Sequence, residues 1–167
     1  MKNQQKSAVK TSAMVKATYQ DTAFNKVVSD IPAHTPKFKT YVEQTSAIMD
    51  ELPGKFGATL AYHMDKLHLT NEALAGRSLI NEDTIRKYRN GSNKSKPNIQ
   101  TVVALCVGLQ LPLPFSLDLV HKSGHTFAGE PSDIAYLTIL STMTGSSIYD
   151  CNALLRSTGV PPLAKEK

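Results

Sequence analysis

The chain has few cysteines, few aromatic residues and no long uninterrupted apolar segment. Only 2 of its 167 residues are cysteine, none is tryptophan, and 7% are aromatic, so any core must be largely aliphatic. Cys106 and Cys151 form no C-x-x-C pair, which excludes a disulfide-dense scaffold and a cysteine-based zinc finger. Both cysteines fall on apolar helical faces and are expected to be buried thiols. The most apolar run, residues 102–120, contains two prolines and an aspartate, so it cannot span a bilayer as one helix.

The motifs of common enzyme classes are also missing. The sequence has no G-x-S-x-G, no phosphate-binding glycine loop and no H-E-x-x-H. His121 and His125 have a metal-compatible spacing, but Gly124 lies between them and no third ligand is near, so we interpret them as a solvated helix end. Lys10 and Lys16 interrupt the apolar stretch that a signal peptide needs. We therefore expect a cytoplasmic protein that is not an enzyme and has no cofactor, metal site or membrane anchor.

Positive charge is concentrated in the first part of the chain. The formal net charge is +5 and the isoelectric point about 9.2, which points mildly to nucleic acid or another anionic partner. Residues 1–97 contain 15 Lys and Arg against 9 acidic residues, whereas residues 98–167 contain 4 against 5. The basic front and the nearly neutral back are therefore expected to have different roles.

The first 51 residues predict an arm followed by a helix. Residues 1–36 are rich in Lys, Ser, Thr, Gln and Ala and carry no sustained apolar stripe, which predicts a partly flexible basic N-terminal arm. The lysines of this arm either follow the DNA backbone or only keep the arm solvated. Residues 37–51 have helical periodicity that ends before Pro53, and they predict a linking helix.

The rest of the chain predicts seven more helices and no strand. Five are expected within residues 52–124, with good N-cap residues at Thr70, Asn81 and Asn98. Two further helices form a C-terminal extension over residues 131–159, the second of them beginning with a Ser-x-x-Asp capping box. No alternating pattern of apolar and polar residues competes with this interpretation, so the predicted fold class is all-α.

The most informative segment is Thr70–Gly91, with the sequence TNEALAGRSLINEDTIRKYRNG. It predicts two short helices joined by a tight turn at residues 78–80. The first helix buries Leu74, and the second places Ile85 and Tyr88 on one face while charged residues cover the other. Two helices joined in this way form a helix-turn-helix, in which the second helix can enter the DNA major groove.

This segment resembles the helix-turn-helix of the Cro and phage-repressor type, also called the XRE type. The family pattern has Thr, Leu-Ala, a turn, a small polar cap, Thr followed by Ile or Val, and a closing Gly. The matching residues here are Thr70, Leu74, Ala75, Asn81, Thr84, Ile85 and Gly91. With its flanking helices the resemblance covers about residues 56–123. It implies a five-helix lambda-repressor-like domain over residues 52–124 that binds double-stranded DNA as a dimer.

Two positions depart from the family pattern. The usual turn glycine is replaced by Leu79, and a left-handed leucine costs on the order of 1 kcal/mol, so the turn is expected to be strained or differently shaped. The glutamate that often precedes the last two residues of the motif is replaced by Arg89. An internal Glu–Arg pair of the usual kind is therefore not expected.

The resemblance also implies which side chains contact DNA. Base edges are expected to meet the start and the exposed face of the second helix, because Arg or Lys can pair with guanine and a carboxylate can accept from cytosine. These base-reading residues are Glu82, Asp83, Arg86 and Lys87. Backbone phosphates are expected to contact polar and basic residues around that helix. These phosphate-binding residues are Asn71, Asn90, Asn93, Lys94 and Lys96.

The sequence thus predicts a sequence-specific transcriptional regulator of the repressor type. The C-terminal helices are expected to form a homodimer, although their own hairpin and the fifth domain helix could bury the same apolar residues.

An alternative is a protein-interaction module, such as an antitoxin-like or adaptor protein, with a degraded DNA face. Leu79 and the adjacent acids Glu82 and Asp83 motivate that alternative; these acids could instead only favour the positive helix N-terminus. Steep salt dependence of binding is typical of a DNA binder and separates the two.

Overall fold

The computed structural model describes residues 36–93 and 95–166, and this part of the chain is helical without a strand. The prediction of an all-α fold class is therefore confirmed for these residues. Eight helices lie within them. They are α1 (Pro36–Glu51), α2 (Phe56–Lys66), α3 (Asn71–Ser78), α4 (Glu82–Arg89), α5 (Ile99–Leu109), α6 (Leu113–Lys122), α7 (Pro131–Thr142) and α8 (Ile148–Ser157). Over the same residues, no helix combines the length and the apolar character needed to span a bilayer.

The chain divides into two compact units between Leu52 and Pro53. The first unit contributes α1, whose bounds agree with the predicted linking helix 37–51 to within one residue. The predicted arm, residues 1–36, lies outside the described residues except for its last member, where α1 begins. The second unit contains α2 to α8 and the whole candidate site.

Local capping explains where several helices of the second unit begin. Before α3, α4 and α5, a side-chain oxygen accepts a hydrogen bond from a backbone N–H of the first turn, over 3.1, 2.9 and 2.7 Å. The capping residues are Thr70, Asn81 and Asn98. Ser147 and Asp150 form the reciprocal capping box of α8. Each cap satisfies an N–H that has no partner within the helix, which is why these starts were predictable from short sequence patterns.

Helix α5 is the centre of the second unit. Every residue from Val102 to Leu109 is buried, and the helix contacts α3, α6, α7 and α8. Its closest approach to α3 is at Gly108, where an added Cβ atom would lie 2.9 Å from the Cβ of Ser78 and 3.0 Å from Cδ1 of Leu74. An added side chain would force the neighbouring atoms apart at this crossing, so Gly108 sets the distance between α5 and α3.

A second close approach joins α2 to α4. A Cβ atom at Gly57 would lie only 2.2 Å from the backbone carbonyl oxygen of Tyr88. The Tyr88 ring meets Phe56 edge-on, with centroids 5.7 Å apart and an interplanar angle of 84°. Because a backbone oxygen cannot move aside as a flexible side chain can, the glycine holds α4 directly against the start of α2.

His63 is a buried histidine in the contact between α2 and α6. Its side chain is fully buried, and its ring lies 5.9 Å from Phe115 and 5.7 Å from Tyr62, measured between centroids. Burial, assisted by the positive charge of Lys122, lowers the pKa of His63 from 6.5 to about 3. The imidazole is therefore neutral in the folded protein at ordinary pH.

The C-terminal extension packs against α5 and α6 within the second unit and continues past residue 159. Asn152 of α8 is fully buried, and its side chain accepts from the N–H of Leu163 over 2.9 Å and donates to the carbonyl of Ala164 over 3.2 Å. Val160 and Leu163 are buried beside it. The sequence analysis ended the extension at residue 159 because the prolines that follow stop a helix, and it had no signal for this contact.

The two cysteines are separate buried thiols, as predicted. Burial raises the pKa of Cys106 to about 12. Burial, together with the charge of Asp150, raises the pKa of Cys151 to about 11. Because the thiolate is the reactive form, both residues contribute to packing rather than to chemistry.

Candidate nucleic-acid interface

Helices α3 and α4 are joined by a turn that a leucine adopts at some energetic cost. Leu79 has φ 57° and ψ 16°, the left-handed conformation that the sequence analysis considered for this position. Its N–H donates to the carbonyl of Ala75 over 2.9 Å. The Ser78 hydroxyl donates to the carbonyl of Leu74 over 2.7 Å and accepts from the N–H of Ile80 over 3.3 Å. These bonds hold the turn in place against a strain of about 1 kcal/mol.

Helix α4 presents most of its surface to solvent. Ile85 is its one buried residue, and Tyr88 is half-buried against Phe56. Glu82, Arg86 and Lys87 are exposed, and Asp83 is half-buried. The helix is therefore anchored along one narrow face. The four predicted base-reading residues lie outside that face.

An ion-pair cluster ties three of these four residues together. The Asp83 carboxylate pairs with the guanidinium of Arg86 and, over 2.6 Å, with Nζ of Lys87. The hydrogen bond from Lys87, with the charges of both cations, lowers the pKa of Asp83. The two carboxylates and two cations of this face sum to zero formal charge. Any anionic partner of α4 must therefore compete with Asp83 for Arg86 and Lys87.

Arg89 forms an internal bridge at the end of α4. Its guanidinium donates to Oδ1 of Asn71 over 2.9 Å and pairs with Oδ1 of Asp65 over 3.2 Å. The sequence analysis expected no internal Glu–Arg pair of the usual kind here, and the structure shows an acid–arginine pair of a different kind, between Arg89 of α4 and Asp65 of α2. The bridge also orients the Asn71 amide, because only its oxygen can accept from Arg89. The Nδ2 group of Asn71 is left to donate to another acceptor, as a phosphate contact would require.

The remaining predicted phosphate-binding residues follow α4 in the chain. Asn90 is exposed at the C-cap of the helix, and Gly91 has the left-handed φ of 64° expected of a helix stop. Asn93 is half-buried, and its side-chain oxygen lies 3.3 Å from the hydroxyl of Ser95. Lys94 lies outside the described residues.

Lys96 and His125 connect this loop to the end of α6. The Lys96 side chain lies across Gly124, with Nζ 3.1 Å from the position a Cβ atom would take there. The Nε2–H of His125 donates to the carbonyl oxygen of Pro97 over 2.7 Å. The interpretation of His125 as part of a solvated helix end was therefore wrong. Its partner is 28 residues away, so no local pattern could have indicated the contact.

The chain matches no protein-family model, and comparisons with curated proteins and with solved structures found no match. Within residues 36–93 and 95–166, no group of three or more His, Cys, Asp or Glu side chains is arranged to hold a metal ion. The arguments for function therefore rest on the geometry and charge of α3, α4 and the loop that follows them.

Proposed function

We propose that this chain is a cytoplasmic, sequence-specific DNA-binding transcriptional regulator of the repressor type. In this proposal α2 to α6 form a lambda-repressor-like domain, and α4 enters the major groove. The observation that carries the proposal is the shape of the α3–turn–α4 unit. Its second helix is held by one buried residue and by the contact at Gly57, while its charged face remains open to solvent.

Base reading begins with an exchange of ion pairs. In the free protein Arg86 and Lys87 are bound to Asp83. On DNA, we infer that either cation leaves Asp83 to donate to guanine O6 and N7, and that Glu82 or Asp83 accepts from cytosine N4. Because both partners of these pairs are well exposed to solvent, the pairs are weak and losing one costs little. A good bidentate base contact contributes about 1–3 kcal/mol and favours the exchange.

Phosphate contacts would fix the position of α4 in the groove. The Asn71 amide donates from the start of α3, and four residues act from the other side of α4. These residues are Asn90, Asn93, Lys94 and Lys96. Occupancy of the site by the bound protein would then block or recruit polymerase.

The proposal includes a homodimer formed through α7 and α8. Four large apolar side chains of these helices remain exposed, by 58%, 37%, 52% and 41%. They are Ile134, Leu137, Tyr149 and Leu154. Other apolar side chains of α7 and α8 are already buried by the chain itself, so only part of the apolar surface of these helices remains for a partner. The buried residues are Leu140, Ile148 and Leu155. Analytical ultracentrifugation at high micromolar concentration should show a dimer; a monomer both with and without DNA would contradict this part of the proposal.

The protein-interaction alternative is favoured by the neutral charge balance of the α4 face. If Asp83 keeps Arg86 and Lys87 in the bound state, α4 would suit a protein partner better than a polyanion. A DNA-binding protein loses affinity steeply as salt rises, because each neutralised phosphate releases counterions. A flat salt dependence, or no duplex binding at low salt, would support the antitoxin-like or adaptor function instead.

The deciding experiment selects bound sequences from a randomised duplex pool at low salt. The Arg86→Ala, Lys87→Ala double variant is compared with wild type and with a control that removes two exposed charges elsewhere, Lys37→Ala with Lys165→Ala. We expect wild type and the control to enrich the same near-palindromic site, with half-sites about one helical turn apart. The double variant should lose that enrichment. No enrichment by wild type would overturn the proposal.

A further inference from the structure

A basic cleft lies beside the helix-turn-helix, separate from the exposed face of α4. It has a volume of about 320 Å³ and is formed by the start of α2, the end of α4, the loop after α4 and the end of α6. Its polar and charged lining includes Lys55, Lys96, Lys122, Tyr88, Asn93 and Ser95. This volume is at the lower end of the range of small-molecule sites.

The charge of the cleft is unbalanced. Three lysines and no acidic residue line it. Lys122 is neutralised by Asp118 over 2.6 Å, and both of these side chains are mostly buried. Lys55 and Lys96 have no carboxylate partner within the described ranges, although both are exposed enough to turn toward a ligand. Two positive charges in the cleft are therefore available to an anion.

Backbone geometry adds donors at the same place. Helix α2 begins at Phe56 without a side-chain cap, so N–H groups of its first turn have no side-chain acceptor. Phe56 and Gly57 both line the cleft. The start of α2 thus lies beside the two available lysines, and its N–H donors together with their charges favour an anion with several oxygen acceptors.

The wall opposite α2 is held in position before any ligand arrives. Pro97 is buried, and its carbonyl accepts the 2.7 Å hydrogen bond from His125. The aliphatic part of Lys96 lies along Gly124, where a larger side chain would displace it. Because Lys96 and Pro97 are both held against the segment after α6, this side of the cleft would need little reorganisation on binding.

We propose that this cleft binds a phosphate group, supplied either by a small phosphorylated molecule or by the DNA backbone. Lys55 and the N–H groups beside it belong to the start of α2, and Lys96 belongs to the loop after α4, so donors from two elements could satisfy several oxygens of one tetrahedral anion. Tyr88 of α4 also lines the cleft, so a bound phosphate would contact the helix that we propose reads DNA. The phosphate site itself does not depend on the proposed DNA-binding function.

The first test uses the isotopically labelled full chain without DNA. Inorganic phosphate and pyrophosphate are titrated against sodium chloride of equal ionic strength while backbone amide resonances are followed. We expect saturable shifts at Gly57, Gly91 and Gly124, which are well separated along the chain but share the cleft. Lys55→Ala with Lys96→Ala should weaken this binding at least tenfold. Lys37→Ala with Lys165→Ala, which removes the same charge elsewhere, should leave it unchanged.

The second test separates the two sources of phosphate. Duplex binding is measured for Lys55→Ala alone, because Lys55 is not among the residues proposed to contact phosphates around α4. Saturable binding of free phosphate or pyrophosphate supports a small-molecule site. Weakened duplex binding by Lys55→Ala, without any effect of free phosphate, supports a backbone phosphate. If free anions cause only the shifts that sodium chloride causes and Lys55→Ala binds duplex like Lys165→Ala, the proposal is overturned.

Discussion

Helices α4 and α5 belong to the same unit and have opposite characters. In α5 eight consecutive residues, Val102 to Leu109, are buried and none is charged. In α4, which has eight residues, five are charged and only Ile85 is buried. The free energy of folding is therefore concentrated around α5, whereas α4 contributes little to stability beyond its contacts with α2 and α3. Because so few residues of α4 pack in the core, its other side chains could contact a partner without any loss of core packing.

The largest expected effect comes from removing apolar volume in α5. Leu105 is fully buried, and Leu105→Ala should lower the free energy of unfolding by about 2–5 kcal/mol, because it removes buried surface and leaves a cavity. Lys87→Ala in α4 should change it by less than about 1 kcal/mol. Urea unfolding at constant m-value measures both. Similar losses for the two variants would mean that stability is not concentrated as described.

The pH dependence of the free energy of unfolding tests the burial of His63 in α2. Its pKa is lowered to about 3 in the folded state, so below pH 6.5 the unfolded chain binds a proton that the folded chain excludes. Stability due to this group is complete above pH 6.5 and falls by about 1.4 kcal/mol for each pH unit below it, until the pH approaches the folded pKa. His63→Gln should flatten the pH dependence of unfolding, and His121→Gln, at an exposed position, should retain it.

The contact between α2 and α4 joins the charged helix α4 to the buried part of the second unit. Gly57→Ala places a Cβ atom against the Tyr88 carbonyl oxygen at 2.2 Å, so α4 must shift. We expect a loss of about 1–3 kcal/mol of stability and weaker binding to any selected duplex. Gly54→Ala is the matched control, because an added Cβ there has no neighbour within 4 Å. If Gly57→Ala matched this control in both measurements, α4 would not depend on the close approach.

The smallest effect is expected from a charge change on α4. Asp83→Asn releases Arg86 and Lys87, so on duplex of arbitrary sequence, where no cytosine contact is lost, it should raise affinity several-fold. The slope of log K against log salt should become steeper by about one. Glu82→Gln removes the same charge from the same turn, and Glu82 has no ion pair with a described residue. A larger gain for Asp83→Asn than for Glu82→Gln would show that freeing the two cations matters. Equal gains would show that only net charge does.

Helix positions in this protein were predictable because their signals are short. Thr70, Asn81 and Asn98 cap helices that begin at the next residue, and Gly91 has the positive φ expected of a helix stop. Apolar spacing placed Ile85 and the residues of α5 on buried faces. Each of these features depends on residues within a turn or two of one another, so a sequence pattern contains all the participants.

Parts of the candidate site depend on contacts that no such pattern contains. The Arg89 bridge joins α4 to Asp65 and Asn71, 24 and 18 residues away. The Asp83 pairs are local, with spacings of three and four residues, and could have been predicted from those spacings alone. The sequence analysis instead assigned all three side chains to bases. It therefore did not predict that Asp83 holds both cations in the free protein.

By itself, the sequence determined the all-α class, the bounds of the helices and the exposed character of α4, because capping and apolar periodicity act within single elements. Only the tertiary structure decided that Arg89 bridges α4 to α2, that Asn152 is buried beside Leu163, and that Lys55 and Lys96 share one cleft. These groups meet because α5 brings distant segments together around a core. Their energies depend on distances between side chains that are far apart in the sequence, and packing alone sets those distances.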